Sequence, residues 1–167
     1  MNKKIIFCIT VMLFAARWMQ AQDKFSKVWY TDGRTSKVQI FLAADGKYYG
    51  KIIWLRDGIV NGKPLLDKKN PDPAKRNKPW LELQIISGLI KKSETEIVSG
   101  KIYDPTHGNY YSCKMTIKDG NKLELRGYIL GIPFLGKTTT WYLDEDSNKP
   151  PQNINAQQFV ADSTNRP

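Results

Sequence analysis

Hydrophobic and polar residues alternate with a period of two along much of the chain, most clearly between Ser99 and Tyr128. Tyr111, Cys113, Met115 and Ile117 fall on one side of that stretch, and Tyr110, Ser112, Lys114, Thr116 and Lys118 on the other. After Asp119-Gly120-Asn121 the pattern resumes, with Leu123, Leu125 and Ile129 opposed to Lys122, Glu124, Arg126 and Tyr128. A period of two marks strands with one dry and one wet face, and an Asp-Gly pair between two such runs marks a hairpin. The same grammar predicts a short strand around Trp29 closed by Thr31-Asp32-Gly33, and a second hairpin through Ala44-Asp45-Gly46. In that hairpin Val38, Ile40 and Leu42 share a face, as do Tyr48, Ile52 and Trp54, with Gly50 at a bend or close approach. Residues 83–90, 94–103 and 137–143 supply further strands, the last placing Thr139, Trp141 and Leu143 together after a glycine- and proline-marked turn at 131–136. About eight strands linked by hairpins, with no long helix, predict an all-β fold: a small antiparallel up-and-down β-barrel, whose closure removes exposed edges.

Three segments break the rhythm. Residues 56–79 carry Asp57-Gly58, Asn61-Gly62 and four prolines, the signature of a long excursion of the kind that serves as a lid or binding loop. Within it, Asp72 is placed to cap a single helical turn at 73–77. At the start, Lys3 and Lys4 precede an apolar run from Ile5 to Ala16. That run is shorter than the ~20 residues a spanning helix needs and reads as a signal peptide over 1–21, so export to the periplasm or the cell exterior is expected. Residues 146–167 are polar and proline-bearing and read as a flexible tail. One domain over 22–145 remains, long enough to build a core without staples.

Composition narrows the chemistry. The chain has 26 Lys and Arg against 16 Asp and Glu. The excess suits an anionic envelope surface or an acidic ligand. The lysines are scattered along strands, with no arginine cluster or basic aromatic platform, which argues against nucleic acid. Without Cys8 in the signal segment, Cys113 is left with no cysteine to pair with, and it falls on the apolar side of its strand as a small hydrophobe. A lone histidine, His107, makes neither a zinc site nor a catalytic set, and Asp104-Pro105-Thr106-His107-Gly108 reads as a turn with Gly108 at positive φ. Asp67, Asn70 and Asp72 offer oxygens but lack the spacing of a calcium loop, so Asx-turn chemistry is the simpler reading. No metal and no cofactor is expected.

Several motifs occur in order at family spacing: KVWYTDGRTSKVQIFLAADGKYYGKIIWL, LLDKKNPDPAKRNKPWLELQIISGL, GKIYDPTHGNYYSCKMTI and LRGYILGIPFLGKTTTW. Over about residues 26–143 the chain resembles the bacterial family called domain of unknown function 2147, DUF2147. The resemblance implies an exported, lipocalin-like barrel and no established activity. Its family-like positions include Trp29, Gly50, Asp67, Asn70, Arg76, Asp104, Gly108, Tyr111, Arg126 and Trp141. Glu82 stands where the family pattern has a glycine, Tyr49 where a cysteine is common, and Glu96-Ile97-Val98-Ser99 lacks the usual tryptophan.

The favoured reading is a non-catalytic binding protein for a small amphipathic or apolar ligand, held in the barrel or at its mouth beneath the excursion. Trp54, Tyr111 and Trp141 are the candidate apolar contacts. Asp67, Asn70, Arg76, Asp104, Arg126 and Tyr128 are the candidate polar ones, with Asp67 or Asn70 pairing to Arg76 or Arg126 across the mouth. The alternative is a filled-core module that contacts envelope proteins; an enzyme built on Asp104, His107 or Asp67 ranks last.

Overall fold

Alternating residues on strands can bury one side only by facing each other, and here they do so around a closed ring of one three-residue strand and seven of seven to twelve residues. The computed structural model describes residues 23–129 and 132–145; the signal peptide and tail expected at 1–21 and 146–167 lie outside the described residues. Ten strands form: β1 (Val28–Tyr30), β2 (Ser36–Leu42), β3 (Tyr48–Leu55), β4 (Ile59–Val60), β5 (Lys63–Pro64), β6 (Gln84–Lys91), β7 (Glu96–Asp104), β8 (Asn109–Ile117), β9 (Lys122–Ile129) and β10 (Ile132–Leu143). Eight of them close an antiparallel barrel in the order β1-β10-β9-β8-β7-β6-β3-β2, and β4 and β5 form a separate ribbon. The up-and-down all-β barrel read from the alternation is therefore the fold.

The interior is apolar and the wall outside is polar. Cys113, Met115 and Ile117 of β8 and Leu123 and Leu125 of β9 are buried inside. Lys114 and Arg126 pair across the same two strands on the outer face. This is the reverse of a transmembrane barrel, which turns its apolar side to lipid. At one end the core is filled: Phe25 packs edge-on against Tyr48 at 5.6 Å, and the Trp29 indole N–H donates to the Phe25 carbonyl at 3.2 Å. Gly50 meets the expectation of a close approach, since a Cβ there would stand 2.8 Å from Ile86 Cδ1.

Two local departures from the alternation matter. In β3 the register slips, so that Lys37 pairs with Trp54 but Val38 with Ile52, leaving Ile53 unpaired as a bulge. The bulge turns Leu55 inward and Trp54 out of the barrel, so Trp54 does not share the face of Tyr48 and Ile52. Of the region read as a turn at 131–136, the described part from Ile132 is already strand: Ile132 pairs with Ile129, and the register is irregular until Gly136 pairs with Tyr128. Arg126 supports this irregular stretch, donating to Thr138 Oγ1 at 3.2 Å and to the Phe134 carbonyl at 3.4 Å.

At the filled end the Tyr48 hydroxyl donates to Asp23 Oδ1 at 3.1 Å, and burial, reinforced by the Asp23 charge, raises its pKa from 10.0 to about 12. A raised phenol pKa means the folded state favours the neutral form. The resulting stability is present below about pH 10 and disappears as pH rises through about 12. Chemical denaturation at stepped alkaline pH should show this loss in the parent chain and a shallower loss in Tyr48→Phe; identical slopes would contradict it.

Candidate functional site

The end of the barrel opposite Phe25 is not filled. There the chain leaves β1, β3, β7 and β9, so the loops at 31–35, 56–83 and 105–108 and the β9–β10 hairpin surround one mouth. A cavity of about 380 Å³ opens between them. Its apolar wall is Ile52, Leu55, Leu65, Trp80, Ile85 and Trp141; Thr139 lies beside Trp141 on β10, and Thr31, Asp32, Ser36, Asp57 and Thr106 supply a polar rim. The volume falls within the range of small-molecule sites, roughly 300–1,000 Å³. The Trp80 indole N–H is buried with no partner in the protein. A buried donor without an acceptor is a costly arrangement.

Among the residues expected to make the site, Trp141 lies buried on the cavity wall. Tyr111 pairs with Ile102 on the inner face and lies near Gly127, but it is not among the residues lining the cavity. Trp54 is displaced by the β3 bulge to the outer face, edge-on to Tyr30 at 6.2 Å, with the Lys37 ammonium over both rings at 5.9 and 4.7 Å. Arg126 and Tyr128 also face outward, paired with Lys114 and Ser112. None of these three is a cavity residue. Asp104 accepts from the Thr106 amide at 2.9 Å and contacts His107 Nδ1 at 2.7 Å, organising the β7–β8 turn.

The polar residues of the excursion form a cluster away from the mouth. Asp67 and Asn70 are wholly buried, at 0% and 2% exposure, against the outer face of β7. Asp67 Oδ1 accepts from the Tyr103 hydroxyl at 2.7 Å, and Oδ2 accepts from Asn70 Nδ2 at 2.6 Å. Asn70 Oδ1 caps the Asp72 amide at 2.9 Å, and its carbonyl accepts from Arg76 Nε at 2.8 Å. Arg76 thus pairs with the backbone of its own loop, not across the mouth. The expected cap is present, Asp72 Oδ1 accepting from the Ala74 amide at the 3-10 turn Pro73–Lys75. The carboxylate is met by neutral donors, and Tyr103, desolvated and bonded to it, has its pKa raised. The arrangement is a lock that pins the excursion to the barrel wall. Gly108 completes it: its φ is +75°, and a Cβ there would run into the Lys69 carbonyl. Among the described residues no group of three potential metal ligands occurs.

The excursion therefore serves the mouth differently from a lid held by polar contacts. Its ends contribute Leu65 and Trp80 to the cavity, joined by the Trp80 backbone amide donating to the Leu65 carbonyl at 2.9 Å, while its middle is fastened outside. Leu55, Leu65, Trp80, Ile85 and Thr139 were not singled out by sequence reasoning. The one signal that could have found Trp80 was its large aromatic ring at the close of the proline-rich excursion; nothing in the pattern distinguished Leu55 or Ile85 from ordinary core.

A family model described as an uncharacterized protein conserved in bacteria, DUF2147, matches residues 27–142. The chain belongs to the DUF2147 family. A solved structure similar to this DUF2147 chain is protein HP1028 from Helicobacter pylori, described as belonging to the lipocalin family; it is 26% identical, with 82% of this chain and 96% of that chain covered and a TM-score of 0.66. No curated protein matches the sequence. The lipocalin-like barrel is a binding-protein fold.

Gly108→Ala should lower stability by at least about 2 kcal/mol, since it combines strain at positive φ with a backbone collision. Gly46→Ala, at φ +76° with nothing within 4 Å, should lower it by only about 1 kcal/mol. Equal losses in urea melts would refute the docking of Lys69 on this turn. Tyr103→Phe leaves a buried carboxylate oxygen unpaired and should destabilise by about 1–3 kcal/mol. It should also raise proteolytic cleavage within residues 56–80, and unchanged cleavage there would count against the lock.

Proposed function

We propose that this protein is an exported, non-catalytic binding protein that takes one small apolar or amphipathic molecule into the open end of its barrel. The observation that carries the reading is the cavity of about 380 Å³ between Trp80, Trp141, Leu55 and Ile85, at the end where the core stops. Burial of an apolar body against those walls supplies the affinity, at about 25 cal/mol per Å² of apolar surface removed from water. Thr139, with the rim residues Ser36 and Thr106, offers the polar contacts that orient the ligand's head. The amino-terminal signal pattern supports export. The filled end of the barrel, packed with Phe25, Trp29 and Tyr48, gives the cavity a floor.

Titration of the protein with the apolar fluorophore N-phenylnaphthylamine tests this. One saturable site is expected, with tryptophan emission transferred to the probe. Thr139→Phe, which fills the mouth without hollowing the core, should weaken binding at least about tenfold. Arg126→Ala and Trp54→Ala, both on the outer wall, should bind as the parent does. Absence of saturable binding, or equal loss in the outer-wall variants, would overturn the proposal.

A further inference from the structure

Nine large hydrophobic side chains are exposed among the described residues, and five of them lie on two ribbon tips at the open end. Ile59 and Val60 sit on the β4–β5 ribbon, which turns through Asn61 and Gly62 at positive φ and pairs with no barrel strand. Ile129, Phe134 and Leu135 sit at the β9–β10 hairpin, with Phe134 79% exposed. The hairpin is held in this form, since the Arg126 guanidinium bonds the Phe134 carbonyl from below and Thr138 beside it.

Charge follows the same polarity. The loops and strand ends of the mouth, residues 31–35, 56–83, 104–108 and 129–138, hold nine Lys and Arg against six Asp and Glu, and one of those acids, Asp67, is wholly buried. The filled end, residues 23–27, 43–47, 91–96, 118–122 and 144–145, holds seven against seven. Its lysines are largely neutralised, in pairs such as Lys91–Glu94, Lys92–Glu96 and Lys122–Asp119. Arg56 and Lys63 flank the Ile59–Val60 tip, Arg56 pairing with Asp57 at 3.5 Å, and Lys137 follows the Phe134–Leu135 tip.

We infer that the open end docks on an anionic lipid bilayer, with Phe134, Leu135, Ile59 and Val60 entering the interface and the surrounding Lys and Arg side chains meeting the headgroups. Apolar projections backed by cations are the chemistry of interfacial membrane binding. Two narrow tips also suit a fluid surface that moulds around them better than a rigid partner, which needs a continuous complementary patch. The orientation sets the mouth of the cavity against the lipid, so a ligand would pass between bilayer and barrel without crossing water. This deepens the ligand-binding reading by naming the source of the ligand, but it rests on its own observations: a chain that binds vesicles and no probe leaves the docking intact.

The test uses the chain as purified after expression of its full gene, with vesicles of phosphatidylglycerol and phosphatidylcholine or of phosphatidylcholine alone, some carrying brominated acyl chains. In Phe134→Trp the added tryptophan should be quenched by brominated anionic vesicles. In Leu42→Trp, at the filled end, the added tryptophan should not be. Phe134→Ser combined with Leu135→Ser should lower the partition coefficient at least about tenfold while leaving N-phenylnaphthylamine binding unchanged. Raising salt to about 0.5 M should weaken binding severalfold. The inference is overturned if both added tryptophans are quenched alike, if the double serine variant sediments with vesicles as the parent does, or if the tips are protected only in a soluble protein complex.

Discussion

Everything in this molecule depends on closure of the barrel by its shortest strand. β1 has three residues, yet it pairs with β10 on one side and β2 on the other, and Trp29 at its centre is completely buried. Without those bonds β2 and β10 would be free edges, exposing backbone donors and acceptors and opening the apolar interior to water. Trp29 also reaches across the floor to the Phe25 carbonyl, so the residue that closes the ring helps to seal one end of it. The other end cannot be sealed in the same way, because there the chain diverts into the long connection between β3 and β6.

That connection faces an opposing demand. Twenty-eight residues between two adjacent strands need a place to rest, and their polar backbone needs partners. The solution is to bury a carboxylate under the loop and satisfy it with neutral donors from Asn70 and Tyr103. A carboxylate so enclosed is tolerable only while both bonds persist, which makes the loop's position all-or-none. Because the lock lies on the outer wall, the two ends of the loop are drawn across the rim, where Leu65 and Trp80 extend the cavity wall beyond the strands. The same polarity reaches the surface, with apolar tips and excess positive charge at the open end and balanced ion pairs at the filled one.

Much of this was legible in the chain. The alternation from Tyr111 to Leu125 stated which side chains go inside, the Asp-Gly pairs located the hairpins, and the Asp72 cap and the Gly108 turn were read from local chemistry alone. Two strands misled. A single extra residue at Ile53 reversed Trp54, and an irregular start lengthened β10 through a segment rich in turn-forming residues. Bulges of this kind leave little trace in sequence, since the inserted residue is chosen for fit to its neighbours in space and not for a backbone preference of its own.

The division between the two sources of information is physical. Period-two patterning, turn residues and capping side chains act over a few neighbouring residues, so the sequence by itself determined the all-β class, the strands and the apolar face of most of them. Which polar groups meet was decided only by tertiary structure: Asp67 and Tyr103 are 36 residues apart, and their bond exists because the excursion lies on β7 and not over the mouth. The cavity likewise belongs to no segment. It is the space left where the filled core ends and loops from three parts of the chain come together, and that space is set by how the barrel closes.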